Sequence, residues 1–534
     1  MGTSIVSYVL QGIDAVACII EADVSTAALP RTTVVGLPDM AVRESSERVR
    51  TAIVNSGFEY PFGRITINLA PADLRKEGPV FDLPIALAIL SAGGIIDIEG
   101  RRHLDRCMVA GELALDGAMR PIRGSIALAM LARDSGRRHV ILPRANADEA
   151  AMVEGVEVWP ADRLADVVTH LNGTHRLNPF ERSRCRIDDD VRPQGVDLSE
   201  IKGQLLAKRA IAIAAAGRHN LILIGPPGCG KSMLARSLSD LLPPLSSEEM
   251  LELTRVYSCA GRLDAASGPL SVRPVRSPHH TASGPSIVGG GSNPRPGEAS
   301  LAHHGVLFLD ELPEFARSTL ESLRQPMQDR RVTIARVNAT VEFPADFLLV
   351  AAANPSRGGT GWDPAYLNRI SGPLADRIDM HVALTPVPAS SLRSGAASGG
   401  RTTREVRASV EGAIQRRRIR QGDIVNSALV GRCLDEVVSM STEAEDFLAE
   451  TIDALGLSAR GWDVLRRLAR TIADLDDEDN VAPLSAPAHA PAPPRASVLR
   501  PELALAVLPL WIRRPSRCEP APELRAPVTL PCSS

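Results

Sequence analysis

Apolar positions along the chain switch repeatedly between the period of a strand and the period of a helix. Arg64-Ile-Thr-Ile-Asn-Leu69 alternates polar and apolar, which predicts a strand over Ile65–Leu69 with one buried face. Thr32–Val35 reads as another strand. Between the two, the spacing over Ala41–Val54 predicts a helix with Asp39 as N-cap, and a further apolar helix is expected from about Ile85. Leu221-Ile-Leu-Ile224, Val306-Leu-Phe-Leu309 and Phe347-Leu-Leu-Val-Ala-Ala-Ala353 are instead unbroken apolar runs, the pattern of strands buried inside a parallel sheet. From 403 to 475 the period is helical, as in A-E-D-F-L-A-E-T-I-D-A-L and W-D-V-L-R-R-L-A-R-T-I-A-D-L.

These patterns divide the chain. Its 534 residues are too many for a single core. Residues 1–172 read as one α/β domain and 173–196 as an aperiodic polar linker. Residues 197–385 form a second α/β unit, 386–402 a Gly/Ser/Ala-rich linker, and 403–480 a helical unit. The final 54 residues, 481–534, hold twelve prolines without a sustained period, which predicts a largely disordered tail.

The net charge of −3 gives the chain no polyelectrolyte character, so any nucleic-acid contact must come from local basic patches. Only four of the 60 basic residues are lysines, which makes each lysine informative. The eight cysteines are scattered without a C-x-x-C pair, as expected of reduced thiols in a cytoplasmic protein rather than a disulfide frame or zinc site. The N-terminus lacks a basic segment followed by an apolar stretch, and there is no apolar run of about 18 residues, so neither a signal peptide nor a membrane span is expected.

The most specific chemistry follows the run at 221–224. Residues 225–232 read G-P-P-G-C-G-K-S, matching G-x-x-x-x-G-K-S/T between a strand and a helix. Such a loop turns consecutive backbone N–H groups toward phosphate oxygens at the positive end of a helix. Gly225, Pro226, Pro227, Gly228, Cys229, Gly230, Lys231 and Ser232 are therefore the expected ATP contacts, with Lys231 at the β/γ-phosphates and the Ser232 hydroxyl on Mg²⁺. In G-V-L-F-L-D-E-L, Asp310 is expected to share that Mg²⁺ and Glu311 to polarise the attacking water. Asn354, at the end of the next apolar run, is placed to orient the same water. Together these imply nucleotide hydrolysis of the AAA+ kind. Arg377, in G-P-L-A-D-R-I-D, is the candidate arginine finger offered to a neighbouring subunit, and Arg460, in L-S-A-R, the candidate cis sensor, although either arginine taken alone reads as a surface salt-bridge partner.

Longer stretches carry a family resemblance. V-G-L-P-D-M-A-V-R-E-S (35–45), N-L-A-P-A-D-L-R-K-E-G-P-V-F-D-L-P-I-A (68–86), S-P-H-H-T-A-S (277–283), P-G-E-A-S-L-A-H-H-G-V-L-F-L-D-E-L-P-E-F (296–315), R-I-S-G-P-L-A-D-R-I-D (369–379) and A-R-T-I-A-D-L (469–475) resemble the YifB/ComM family of magnesium-chelatase-like AAA+ ATPases. The resemblance covers about residues 4–480. It implies an α/β chain with a Lon/S5-like N-terminal domain, an AAA+ P-loop core with a helix-2 insert and pre-sensor hairpin, and a C-terminal α-helical lid. It further implies ATP and Mg²⁺ as cofactors, a homo-hexamer, and, in ComM proteins, a DNA helicase promoting branch migration of incoming DNA. A chaperone-like protein remodeller and a chelatase-type ATPase subunit are the alternatives. The chain departs from the family in lacking cysteines after Asn354, where it reads N-P-S-R-G-G-T-G-W-D, and in its proline-rich tail.

Residues 76–84, K-E-G-P-V-F-D-L-P, resemble the active-site loop of Lon-type peptidases, whose serine nucleophile follows Gly-Pro. Here that position is Val80, and the place of the partner lysine holds Ile126, so no peptidase activity is expected. The pairs His279-His280 and His303-His304 are poor chelators as dipeptides, and turn or interface roles are expected for them. The glycine-rich 287–298 suits a flexible pore loop. Residues 329–343 read as a hairpin turning near Asn338, in which Arg330, Arg331 and Arg336 are candidate DNA contacts, although an ordinary solvated hairpin gives the same pattern. The run Q-R-R-R-I-R-Q (415–421) carries the same two readings.

Overall fold

The structure, a computed structural model, describes residues 3–25, 30–181, 196–263, 268–291, 293–335, 340–356, 364–387, 401–455 and 458–478. Arg336, the hairpin turn near Asn338, the stretch after Asn354, most of both linkers and the tail lie outside the described residues.

The unbroken apolar runs become the strands of one sheet. Leu221–Ile224, Val306–Leu309 and Leu348–Ala353 lie in a five-stranded sheet ordered Val275–Arg276, Val306–Leu309, Leu348–Ala353, Leu221–Ile224, Met380–Ala383, every neighbouring pair parallel. Their apolar residues point both ways. Ile222, Ile224, Leu307, Leu309, Leu349 and Ala351 enter one core with helix Ser247–Ala260, whereas Leu221, Leu223, Val306, Phe308, Leu348 and Val350 enter another with helices Leu205–Gly217, Lys231–Ser239, Thr403–Gln421 and Ala459–Asp476. A sheet covered on both faces leaves no polar side, which is why these strands show no alternation in sequence.

Amino-terminal to this lies a four-stranded sheet ordered Thr3–Gln11, Asp14–Ser25, Arg64–Ala70, Arg31–Val35, the last pair parallel and the others antiparallel. Helix Met40–Asn55 packs on it, and the Asp39 side chain accepts from the Val42 N–H at 2.8 Å as the expected cap. A three-stranded parallel sheet (Cys107–Val109, His139–Pro143, Glu157–Ala161) completes this region, with helix Asp82–Ala92, apolar apart from Asp82 and Ser91, buried along almost its whole length.

The turn after Gln11 plugs into the nucleotide-binding half. Ile13 sits in the core of the five-stranded sheet, its carbonyl accepts from Arg255 Nε at 3.0 Å, and a Cβ on Gly12 would overlap Val341. Gly124 N donates to Ser258 Oγ at 3.0 Å, and Glu149, almost fully buried, is protonated more readily than usual because of that burial. Helices Thr403–Gln421, Gly431–Val437, Thr442–Leu455 and Ala459–Asp476 form the carboxy-terminal part. No helix among the described residues is long and apolar enough to cross a membrane.

Candidate nucleotide site

The C-terminal end of Leu221–Ile224 opens directly into the glycine loop. Gly228 and Gly230 hold φ of 77° and 93°, the left-handed region that glycine enters without strain, and Gly230 caps the helix Lys231–Ser239. Gly225 has a different reason. A Cβ there would lie 2.8 Å from Leu384. Lys231 is nearly buried, its ammonium donating to the Gly225 carbonyl (2.7 Å), the Pro226 carbonyl (2.9 Å) and Asn354 Oδ1 (3.0 Å). The loop is thus already curled around its own cation, with a helix N-terminus behind it, an arrangement that favours an anion.

The two other strand ends converge on the same place. Ser232 Oγ donates to Asp310 Oδ2 at 3.0 Å, and Glu311 N donates to Asp310 Oδ1 at 3.0 Å. A hydroxyl and a carboxylate side by side are hard oxygen donors that fit Mg²⁺. Glu311 sits at φ 53°, a left-handed turn that carries its side chain away from the Asp310 pair, and its carboxylate lies 3.3 Å from His280 Nδ1. The sequence offers His280 a turn or interface role and gives no sign of this contact with Glu311. Lys231, Ser232, Asp310 and Asn354 are therefore brought together, with Glu311 next to them.

Arg377 is elsewhere. Asn220, just before Leu221, donates Nδ2 to the Arg377 carbonyl at 3.1 Å and its own N–H to Asp379 at 3.2 Å. The Arg377 backbone therefore lies at the N-terminal end of strand Leu221–Ile224, about 13 Å of strand from the glycine loop at the other end. Its guanidinium bonds Gln328 and the Pro373 carbonyl at 2.8 Å each. Burial lowers its pKa, and so does the charge of Arg460. Arg460 itself is exposed.

At the hairpin, Arg330 Nε lies 3.7 Å from Asp346 with 43% of the side chain exposed, and Arg331 pairs loosely with Glu342 at 3.1 Å and is 59% exposed. The run at 415–421 turns substantially inward: Arg420 grips buried Asp474 with both terminal nitrogens (2.6 and 2.9 Å), Arg416 donates to the Asp474 carbonyl, and Arg417 is buried. The glycine-rich segment is a tight hairpin rather than a loose loop, pairing Gly289–Gly290 with Arg295–Pro296 and docking Asn293 on Glu77 at 2.9 Å.

Glu252, His303 and His304 cluster closely enough to suggest a metal. The hydrogen bonds speak against it. His303 Nδ1 accepts the Asp346 N–H at 3.1 Å, so the neutral ring carries its proton on Nε2, where it donates to Glu252 at 3.2 Å. That nitrogen has no lone pair to give. His304 Nε2 lies 2.8 Å from the same carboxylate, and the two imidazoles hold Glu252 well below the usual carboxylate range. The cluster is a hydrogen-bonded knot at the N-terminal end of the sheet.

A parallel sheet whose consecutive strand ends deliver a glycine loop with lysine, an aspartate–serine pair, a glutamate and an asparagine defines a P-loop ATPase of the AAA+ class. Comparison with known proteins narrows this. Residues 197–392 match the magnesium chelatase subunit ChlI family, 20–146 the family described as subunit ChlI of Mg-chelatase, and 400–486 the ChlI C-terminal family. YifB of Salmonella typhimurium is 42% identical over 482 residues, covering 88% of this chain and 93% of that protein. The competence protein ComM of Haemophilus influenzae is 42% identical over 465 residues, covering 85% and 90%. The magnesium-chelatase 67 kDa subunit of Heliobacterium mobile is 28% identical over 214 residues, covering 35% and 30%. The chain belongs to the YifB/ComM family of magnesium-chelatase-like AAA+ ATPases.

Proposed function

We propose that this chain is the subunit of a homo-hexameric, ATP-driven DNA helicase or branch-migration motor working in the cytoplasm on recombining DNA. The observation that carries the ring is the Arg377 backbone, held by Asn220 at the end of strand Leu221–Ile224 opposite its own glycine loop. An arginine there suits a neighbour's nucleotide better than its own, and Arg460 would serve as the cis sensor. The DNA assignment leans on the relative named competence protein ComM and on six copies of the 331–344 hairpin, each with an exposed Arg331, around one channel. The reading divides the chain into the domains expected from sequence: a Lon/S5-like unit to residue 172, the ATPase core over 197–385 and a lid over 403–480.

Bound ATP with Mg²⁺ supplies the anhydride whose cleavage drives the motor. Lys231 would turn from the Gly225 and Pro226 carbonyls to phosphate oxygens, and Ser232 with Asp310 would hold the cation. Glu311 would draw a proton from water that Asn354 orients, and Arg377 of the adjacent subunit would meet the developing charge. Val80 and buried Ile126 leave no nucleophile and no base for peptide cleavage.

The test measures oligomer mass with and without ATP, and ATPase rate with single-stranded and branched DNA. The expected results are an ATP-promoted hexamer, faster turnover on DNA, and loss of turnover with retained ATP binding in Arg377→Ala. A monomer hydrolysing ATP at full rate removes the ring. A hexamer whose rate and binding ignore DNA but respond to a protein substrate moves the chain to the remodeller reading.

A further inference from the structure

A chain of polar groups, buried at Asp474, Asn426, Thr471 and His219 and partly buried at Asp379 and Asn220, runs from the carboxy-terminal helices to the Arg377 loop, and the nucleotide site does not account for it. His219, 1% exposed, follows helix Leu205–Gly217, and its Nε2 lies 2.8 Å from Thr471 Oγ1 in helix Ala459–Asp476. Its Nδ1 lies 3.4 Å from Asp379 Oδ2. On one side Asp379 also accepts the Asn220 N–H, and Asn220 Nδ2 donates to the Arg377 carbonyl. On the other side Thr471 donates to the Arg467 carbonyl at 2.9 Å, so its oxygen receives both His219 and Asn426 Nδ2, the latter at 3.0 Å. Asn426 reaches on to Asp474. Thr471, Asn426 and Asp474 are each at most 1% exposed.

A second, independent feature marks the same contact. A Cβ on Gly217 would lie 2.4 Å from the His219 ring and 2.6 Å from Thr471 Oγ1, so the closeness of lid and core at this point depends on a glycine. Groups buried this completely tolerate no half-made bonds, because each donor that loses its partner is left without water to replace it. The contact is therefore discrete: docked with all bonds made, or released.

We propose that His219 and Thr471 are positioning residues, a latch that couples the pose of the carboxy-terminal helices to the Arg377 loop and so decides when a subunit presents its arginine to a neighbour. This rests on the reading that Arg377 acts in trans. Lid movement in one subunit is then felt at the next subunit's nucleotide site, through Thr471, His219, Asp379, Asn220 and the Arg377 backbone.

The experiment mixes full-length subunits. Arg377→Ala subunits keep a complete glycine loop but give no arginine; Lys231→Ala subunits lack a working loop but give one. An excess of Lys231→Ala should restore hydrolysis at the Arg377→Ala sites. The donor Lys231→Ala/Thr471→Val should restore at least tenfold less, and Lys231→Ala/Thr471→Ser, which keeps the hydroxyl, should restore it fully. Amide exchange on the single variant Thr471→Val should rise tenfold or more at residues 376–380 while 225–232 stays protected, which separates a released latch from an unfolded chain. Equal restoration by all donors, or unchanged exchange at 376–380, overturns the latch and spares the trans reading. No restoration by the parent donor overturns both.

Discussion

Lys231→Ala tests the nucleotide site most directly, because the structure gives both halves of the expected change. In the protein as it stands the ammonium donates to three oxygens, the Gly225 and Pro226 carbonyls and Asn354 Oδ1, with a longer contact to Cys229 Sγ. On ATP binding, neutral acceptors are exchanged for phosphate oxygens, and the gain is that of a bond between charged partners, roughly 1.5–3 kcal/mol. At 1.4 kcal/mol per decade the alanine variant should bind ATP about 10–150-fold more weakly. The folded state should suffer less. Pro226 is partly exposed and can take water, so the buried Gly225 carbonyl is the main group left unsatisfied, at about 1 kcal/mol. Titration with a fluorescent ATP analogue reads the first quantity and chemical denaturation without nucleotide the second. Affinity within about threefold of the parent, beyond what the weaker decade of the estimate allows, would refute the placement of phosphate against Lys231.

The other predictions are briefer. Glu311→Gln should bind ATP normally and hydrolyse it at least about 10²-fold more slowly in single-turnover assays, since it removes the base and spares the Asp310–Ser232 pair. Asp474→Asn should leave the positive charge on Arg420 and fully buried Arg470 unopposed and destabilise the carboxy-terminal helices by about 3–5 kcal/mol, read as a lowered denaturation midpoint. His381 is fully buried and its pKa is depressed by burial to about 4, from an ordinary 6.5. A depressed folded-state pKa means the unfolded chain takes up the proton first, so stability is complete above pH 6.5 and falls between 6.5 and about 4, by on the order of 3 kcal/mol. Melting from pH 7 to pH 5 should show this slope, and His381→Asn should flatten it.

What the sequence makes legible is what depends on near neighbours. Asp39 is a cap because it sits three residues before the N–H it accepts, and the glycine loop is recognisable because its strand, turn and helix are contiguous. The doubly buried strands announce themselves by the absence of alternation. What the sequence hides depends on distant partners. The run at 415–421 reads as a basic face, but Asp474 waits more than fifty residues away to receive Arg420. Arg330 has its partner in Asp346, beyond the end of its own hairpin. The carboxy-terminal helices meet the helix before the glycine-loop strand through Thr471 and His219, 252 positions apart. His280 needs the fold to reach Glu311.

The peptidase-like loop can be understood on the same terms. Asp82, fully buried, holds Ser45, Arg48 (Nε at 2.7 Å) and the Leu113 N–H; Gly78 N reaches Asp39 at 3.2 Å; and Val80 and Leu83 clamp Gly111 through their backbones. These bonds involve the loop's backbone and its acid, and none of them uses the side chain at position 80. Replacing a serine there by valine removes the chemistry without touching the frame, whereas deleting the loop would strand a buried carboxylate. Glu77 at the loop's edge receives Asn293 from the ATPase insert, and Gly78, Val80, Arg123, Asn293 and Arg295 line a shared cleft of about 440 Å³. The partner position is closed more firmly: Ile126 lies in an apolar core with Val6, Met108 and Val140, where a lysine would have to be buried as a charge. Val80→Ser would therefore give a serine without a base. What the loop does in this structure is make contact, with Glu77 at its edge receiving Asn293 of the 289–296 hairpin.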